Sequence, residues 1–445
     1  MRRLTRVVVA ILVAICVVGI VPAVANAGQD PFYRYSGSVP LRSVAPGTVL
    51  ATRTLPYHLA NVSTPLRAEQ ILYRTIDAQG NPAANVTSVL TSPNKAIKGV
   101  VSYQSAYDSL NPEDSPSRAV AGDTTLLDVT PRGRNVHIGG VAANAENTIM
   151  PAVLALGYAV NIPDTEGQRA NFAAGPEYGT NTLDSLRALS SVAGTGVSRN
   201  TPIGLVGYSG GAIASNWAAM LAPSYAPEVN KRLVGVAQGG LLVNPSRNLE
   251  YVSGSPIWAG AIGMAINGIG RAYGIDVDKY LNPYGKQIIR QLSDASILNF
   301  VYPGLTWEKL AKPQYRQVGS VPEFVNALNK VNMGLAPTPT TPMFIAQAAN
   351  GILEGTAPGK TGIGAGDGVM IAGDVRALAH KYCRAGLPIM YHEYGPLSHT
   401  LAVNLWAPES VAWLLDRFAQ RPAPANCGEI PAGNRDAFAP QRAVR

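Results

Sequence analysis

Ile203-Gly204-Leu205-Val206-Gly207-Tyr208-Ser209-Gly210-Gly211-Ala212-Ile213-Ala214 decides the reading of this chain. Ile203–Gly207 is a short apolar run of strand type, and the stretch from Gly211 to Leu221 reads as a helix. Between them Gly207-Tyr208-Ser209-Gly210-Gly211 matches Gly-x-Ser-x-Gly. A strand that turns sharply into a helix strains the residue at its apex, which only small neighbours tolerate, and lifts that residue's side chain above the carboxyl edge of the sheet. The chain has 45 glycines, so the bare pattern also fits a Gly-Ser turn without chemistry. The flanking strand and helix favour Ser209 as a nucleophile.

Working outward, Ile71–Thr75 and Val86–Thr91 read as antiparallel strands joined by the turn residues 77–82, after an extended arm from Asp30 to Pro65. Strands at Gly99–Tyr103, Tyr158–Pro163, Ile203–Gly207 and Leu233–Ala237 then alternate with helices near Met150–Leu156, Asn181–Val192 and Gly211–Leu221. Such alternation implies a mostly parallel sheet covered on both faces. It stops from Gly240 to Thr341, a Gly- and Pro-punctuated helical stretch, and resumes with Met343–Ala346, a helix Asp374–Cys383, the strand Pro388–Tyr394 and a last helix near Leu401–Phe418. The expected architecture is α/β, an α/β-hydrolase fold with an inserted, mainly helical cap and lid. Its parts are a leader at 1–27, core at 28–240, cap at 241–341, core again at 342–427 and a tail at 428–445.

A serine hydroxyl needs a base, and the base needs a carboxylate that fixes its tautomer. In this fold the order along the chain is serine, acid, histidine. Only His380, His392 and His399 follow Ser209. His380 falls in a helix and His392 inside a strand, whereas His399 sits in a loop beyond the last strand. Asp367 follows the Gly-rich loop after Met343–Ala346 and is the favoured acid. Asp374 competes but suits a helix cap, and Glu354 is third. The backbone N–H of Gly210 is one oxyanion donor. The second belongs in Gln104-Ser105-Ala106-Tyr107-Asp108-Ser109, which lacks a His-Gly-Gly-Gly run.

Arg2, Arg3 and Arg6, the apolar run Val7–Ile20 and Ala25-Asn26-Ala27 form an export signal with cleavage before Gly28. The apolar run is shorter than the roughly 20 residues of a membrane span. Without the leader's three arginines the chain keeps 33 basic and 28 acidic residues, +5, dispersed with no basic stripe for nucleic acid. Cys16 leaves with the leader, so Cys383 and Cys427 remain for one disulfide in an oxidising compartment. The histidines are scattered and no metal-ligand cluster is visible. The chemistry calls for no cofactor.

The chain resembles the secretory lipase family, of the lipase A type known from yeasts and mycolic-acid actinomycetes. The resemblance runs through Asp30-Pro31-Phe32-Tyr33, Ser102-Tyr103-Gln104 to Asp108-Ser109, Gly157-Tyr158 to Pro163-Asp164, the Ser209 pentapeptide and on to Cys427. It implies a triad of Ser209, Asp367 and His399, an oxyanion hole of Gly210 and Asp108, the Cys383–Cys427 pair, and an inserted cap that carries the lid and shapes an acyl tunnel. The substrate is then a lipid or other ester, met at a lipid–water interface, and the protein is secreted or held at the cell envelope. One departure stands out, the long Gly-rich stretch Asn350–Gly366 between strand and acid. Two other readings share these residues: an acyltransferase on the same triad, and an envelope lipid-binding protein without turnover. A serine peptidase would need a further recognition domain, of which there is no sign.

Overall fold

The computed structural model describes residues 30–92, 96–124, 126, 128–132, 135–137, 139–298 and 302–444; the leader lies outside them. Its centre is a nine-stranded sheet in the order β1-β2-β3-β7-β4-β8-β9-β10-β11. The strands are β1 (Val49–Leu59), β2 (Val62–Ile76), β3 (Pro82–Leu90), β4 (Val100–Gln104), β7 (Ala159–Pro163), β8 (Ile203–Tyr208), β9 (Leu233–Gly239), β10 (Met343–Ala348) and β11 (Ile389–Tyr394). A separate hairpin pairs β5 (Asp128–Arg132) with β6 (Asn135–His137). From β7 to β11 every neighbouring pair is parallel, while β1, β2 and β3 join antiparallel at one edge. Parallel strands bring their carboxyl ends to one edge, and ligands of open α/β sheets bind there. This arrangement is the α/β-hydrolase fold expected from the sequence.

Both faces of the sheet are covered. Helices α1 (Gly175–Leu189) and α2 (Gly210–Tyr225) lie on one side, where Ile203, Leu205, Val236 and Ile345 meet Leu183, Leu186, Ala214 and Trp217 in the largest core. The alternation along β8 turns Val206 and Tyr208 to the other face, against Trp406, Trp413 and Leu414. Burying each such aliphatic side chain contributes about 1.5–3 kcal/mol, so the central strands are fixed in register long before polar contacts are counted.

Between β9 and β10 the chain leaves the sheet for four main helices, α3 (Pro245–Val252), α4 (Gly260–Tyr273), α5 (Pro283–Gln291) and α6 (Pro322–Lys330). They share a separate apolar cluster that includes Trp258, Ile262, Ile266, Ile289, Phe324 and Leu328. We take this excursion as the cap. The chain ends with α7 (Ala372–Arg384), β11, and α8 (His399–Phe418).

Two expectations change. The arm from Asp30 to Pro65 is not simply extended: β1 and β2 form a long hairpin through Ala60 and Asn61, whose φ angles of 48° and 62° make the two-residue loop left-handed at both positions. Pro56 is tolerated because β1 is an edge strand with a register break beside it. Helix α1 starts six residues earlier than Asn181, at Gly175. A Cβ on Gly175 or Gly179 would strike Trp217 of α2, so these glycines serve close packing of two helices. The tail is packed against the rest of the chain. Ile430 and Ala437 are buried, Gln441 bonds Asn329 and Ser246, and the Val444 N–H donates to Gly319.

Cys383, near the end of α7, is bonded to Cys427, just before the tail, closing a separation of 44 residues. Replacing both by serine is expected to cost about 3–4 kcal/mol of stability, chiefly by freeing the unfolded chain. Urea unfolding of the double variant checks this, and a change below about 1 kcal/mol would contradict it.

Candidate active site

Ser209 links β8 to α2 with φ 55° and ψ −119°, a left-handed strained turn costing on the order of 1–3 kcal/mol. Its N–H donates to Gly239 O at 2.9 Å, and its carbonyl accepts from Ala212 and Ile213. The pentapeptide's glycines are steric necessities: a Cβ at Gly207 would overlap Gly211 O, and one at Gly211 would overlap Gln104 O. The turn therefore presses directly against the end of β4.

His399 meets Ser209 across a single hydrogen bond, its Nε2 lying 2.8 Å from the hydroxyl oxygen. Its Nδ1 lies 2.8 Å from Asp367 Oδ2. Because a carboxylate only accepts, Nδ1 carries the proton and donates, which leaves the Nε2 lone pair to accept from Ser209 Oγ–H. The ring is held by its backbone as well: the His399 N–H donates to Asp367 O at 2.8 Å, and Tyr208 OH donates to His399 O at 2.7 Å. His399 is not in the loop, as the sequence suggests, but is the first residue of α8, one past Ser398.

Asp367 is fully buried. Its Oδ1 accepts the N–H groups of Val369 and Met370 at 2.9 and 2.7 Å, and Oδ2 accepts from Gln347 Nε2 as well as from His399. Four donors thus leave the carboxyl one orientation. Asp374 is elsewhere. It sits in the first turn of α7, whose cap is Ile371, and bonds Arg247 and Asn434 rather than backbone N–H groups. Glu354 approaches the site but reaches Trp258 and Thr400, not the His399 ring.

Burial weakens the His399 base, but the Asp367 charge and hydrogen bond, with the charges of Glu354 and Asp108, outweigh it and raise its pKa above the ordinary imidazole value. Asp108 has φ 34° and a buried carboxyl that faces Gly210 so closely that a Cβ on Gly210 would overlap it. Burial, then the Glu146 charge, push the Asp108 carboxyl well above the usual carboxylate range, against the His399 charge and the Gly210 N–H. Beside it, the half-buried Glu146 accepts from Ser105 Oγ and the Ala106 N–H, and the buried Glu166 accepts from the Ser109 N–H. The cap also grips this loop, with the Ile297 N–H donating to Asp108 O and the Leu110 N–H to Ala295 O.

The structure therefore brings Ser209, His399, Asp367, Gly210 and Asp108 together at the carboxyl edge, and Cys383 with Cys427 far along α7. No contact with the triad is expected from sequence for Gln347, Tyr208 or Trp258. A glutamine at the end of the otherwise apolar strand Met343-Phe344-Ile345-Ala346-Gln347-Ala348 is the one signal that points to the first of them. In the cap, Ile262, Ile266, Ile269, Trp307, Phe324 and Leu328 line a mostly apolar cavity of about 490 Å³. No triad residue lines it; among its lining residues Ile262 lies one turn beyond Trp258, whose ring meets that of His399 edge-on at 5.9 Å.

The model of a family described as secretory lipase matches residues 133–426. A Mycobacterium tuberculosis protein named probable inactive lipase is 30% identical over 404 residues, covering 88% of this chain and 83% of that one. Lipase 2 of Candida albicans is 37% identical over 251 residues, covering 56% of this chain and 51% of that one. In structure the chain is similar to the closed state of Candida antarctica lipase A, with a TM-score of 0.73, 24% identity and 92% of each chain covered.

Proposed function

Because this chain belongs to the secretory lipase family, we propose that it is a serine hydrolase of carboxylic esters, a triacylglycerol lipase or carboxylesterase working through Ser209, His399 and Asp367. The observation that carries the reading is the unbroken run from Ser209 Oγ to His399 Nε2 and from Nδ1 to Asp367, at 2.8 Å in each step. Ser209 attacks the ester carbonyl while His399 takes its proton. The tetrahedral oxyanion is met by the Gly210 N–H and by Asp108, the alcohol leaves with the proton from His399, and water hydrolyses the acyl-enzyme. The apolar cap cavity, whose volume is ordinary for a small-molecule site, supports a place for the acyl chain in the cap. The family's name supports export, and cleavage of the leader before Gly28 belongs to this proposal. No helix among the described residues is long and apolar enough to cross a membrane.

The relative named as probably inactive frames the opposing reading, a lipid-binding protein that retains the fold without turnover. Hydrolysis of p-nitrophenyl esters from short to long acyl chains by the mature protein separates the two. Activity on long chains supports a lipase, activity on short chains alone a carboxylesterase, and none at all the binding protein. The pH profile is a further check. A base works only when neutral, and a raised pKa keeps the proton on His399 to higher pH. The acid limb of kcat/KM is therefore expected above pH 6.5, the ordinary imidazole value of about 6.5 being the reference. A limb at or below it would contradict the assignment of His399.

A further inference from the structure

Glu354 is the buried carboxylate beside the site that the proposed chemistry leaves unused. It ends a single 3-10 turn, Gly351–Glu354, after β10. Its Oε1 accepts from the Thr400 N–H at 2.8 Å and from Thr400 Oγ at 2.6 Å, and its Oε2 accepts from Trp258 Nε1 at 2.8 Å. Three distant segments thus meet on one carboxylate.

Each contact answers a local need. Helix α8 begins at His399, and its cap, Ser398, makes no side-chain capping bond. A helix start has N–H groups without partners and a partial positive charge. Glu354 supplies from outside the acceptor and the charge that Ser398 does not, at the residue next to His399. Trp258 comes from the cap region, and its ring meets the His399 ring edge-on. Gly368, immediately after Asp367, makes room for the pair: a Cβ there would lie 3.0 Å from Glu354 Oε2 and 3.4 Å from Trp258 Nε1, on a backbone of φ 121°. The carboxylate therefore also touches the acid's own loop.

We infer that Glu354 is a positioning residue that links the cap to the proposed base, one carboxylate gripping Trp258 on the cap side and the first turn of α8 on the other, so that seating the cap and holding His399 are a single event. The inference rests on His399 being the base of the proposed hydrolase. Facing the imidazole are Asp367 from the loop after β10, Ser209 at the start of α2, Asp108 from the loop after β4, Glu354, and the rings of Tyr208 and Trp258. Among them Glu354 alone bonds both a cap side chain and the helix that carries His399. Its charge is one of those that favour the imidazolium, so losing it has a sign that simple loosening of the fold does not.

The test compares full-length mature Glu354→Gln and Trp258→Phe with the parent. The titration of His399 is followed in protein carrying ¹³C-labelled histidine, its signal assigned with His399→Gln, beside the pH profile of ester hydrolysis. Glutamine retains an acceptor for Thr400 but carries no charge, so the titration and the acid limb of kcat/KM should both move to lower pH. Trp258→Phe keeps the charge and loses only the cap's grip, so KM should rise by about threefold or more, as for one lost hydrogen bond, with no acidward shift. Should Glu354→Gln fail to fold, Trp258→Phe decides alone: an unchanged KM overturns the link. A folded Glu354→Gln whose His399 titrates like the parent also overturns it. An acidward titration in a protein without esterase activity would uphold Glu354's hold on His399 while removing the hydrolase reading, so the two fail separately.

Discussion

Ser209→Ala is expected to lower kcat for ester hydrolysis on the order of 10⁶-fold, the scale on which loss of a triad nucleophile acts, with little change in the folded structure. The reason is local. The hydroxyl makes one side-chain contact, with His399, while the elbow's backbone bonds to Gly239, Ala212 and Ile213 do not involve it. Alanine keeps the strain of φ 55°. Ser209→Gly abolishes activity equally but removes the Cβ from a left-handed turn, and should raise stability by about 1 kcal/mol. Steady-state kinetics beside urea unfolding read both effects. Activity that survives in Ser209→Ala would remove the nucleophile from the account.

Asp367→Asn carries the next largest effect, a fall in kcat of about 10⁴-fold. An amide placed at the carboxylate's position must keep its oxygen toward the N–H groups of Val369 and Met370. Its NH₂ then points at His399 and also at Gln347 Nε2, where two donors oppose each other. His399 responds by accepting at Nδ1, which puts its proton on Nε2, facing Ser209, so the base is lost while the ring remains. Asp374→Asn is the companion control. It weakens the bonds to Arg247 and Asn434 and should cost stability, with kcat within about twofold of the parent since no bond from Asp374 reaches the site. The reverse pattern would exchange the two aspartates.

How legible this was in the sequence differs by residue, for physical reasons. The Ser209 elbow is a local feature: strand, strained turn and helix all lie within about 20 residues, and its glycines are required by contacts inside that span and with the end of β4. The sheet and its alternation are equally local. His399 could be reached because only three histidines follow the serine, although its place at the first position of α8 could not, since Ser398 caps with no side-chain bond and the acceptor at Thr400 comes from Glu354. The β1–β2 hairpin was hidden because its turn is Ala60-Asn61, without glycine, and its prolines argue against a strand until the edge position and register break are known. Gln347 and Trp258 act through partners 20 and 96 residues away. Periodicity and motif spacing carry no trace of such pairs.

The most direct test of the central claim is to expose the mature protein to a fluorophosphonate and map the modified peptide. Such reagents react with a hydroxyl activated by a base and not with a serine that merely lines a pocket. The account predicts one adduct, on Ser209, absent in Ser209→Ala and formed far more slowly in Asp367→Asn. No adduct, an adduct on another residue, or an unchanged rate in Asp367→Asn would contradict it.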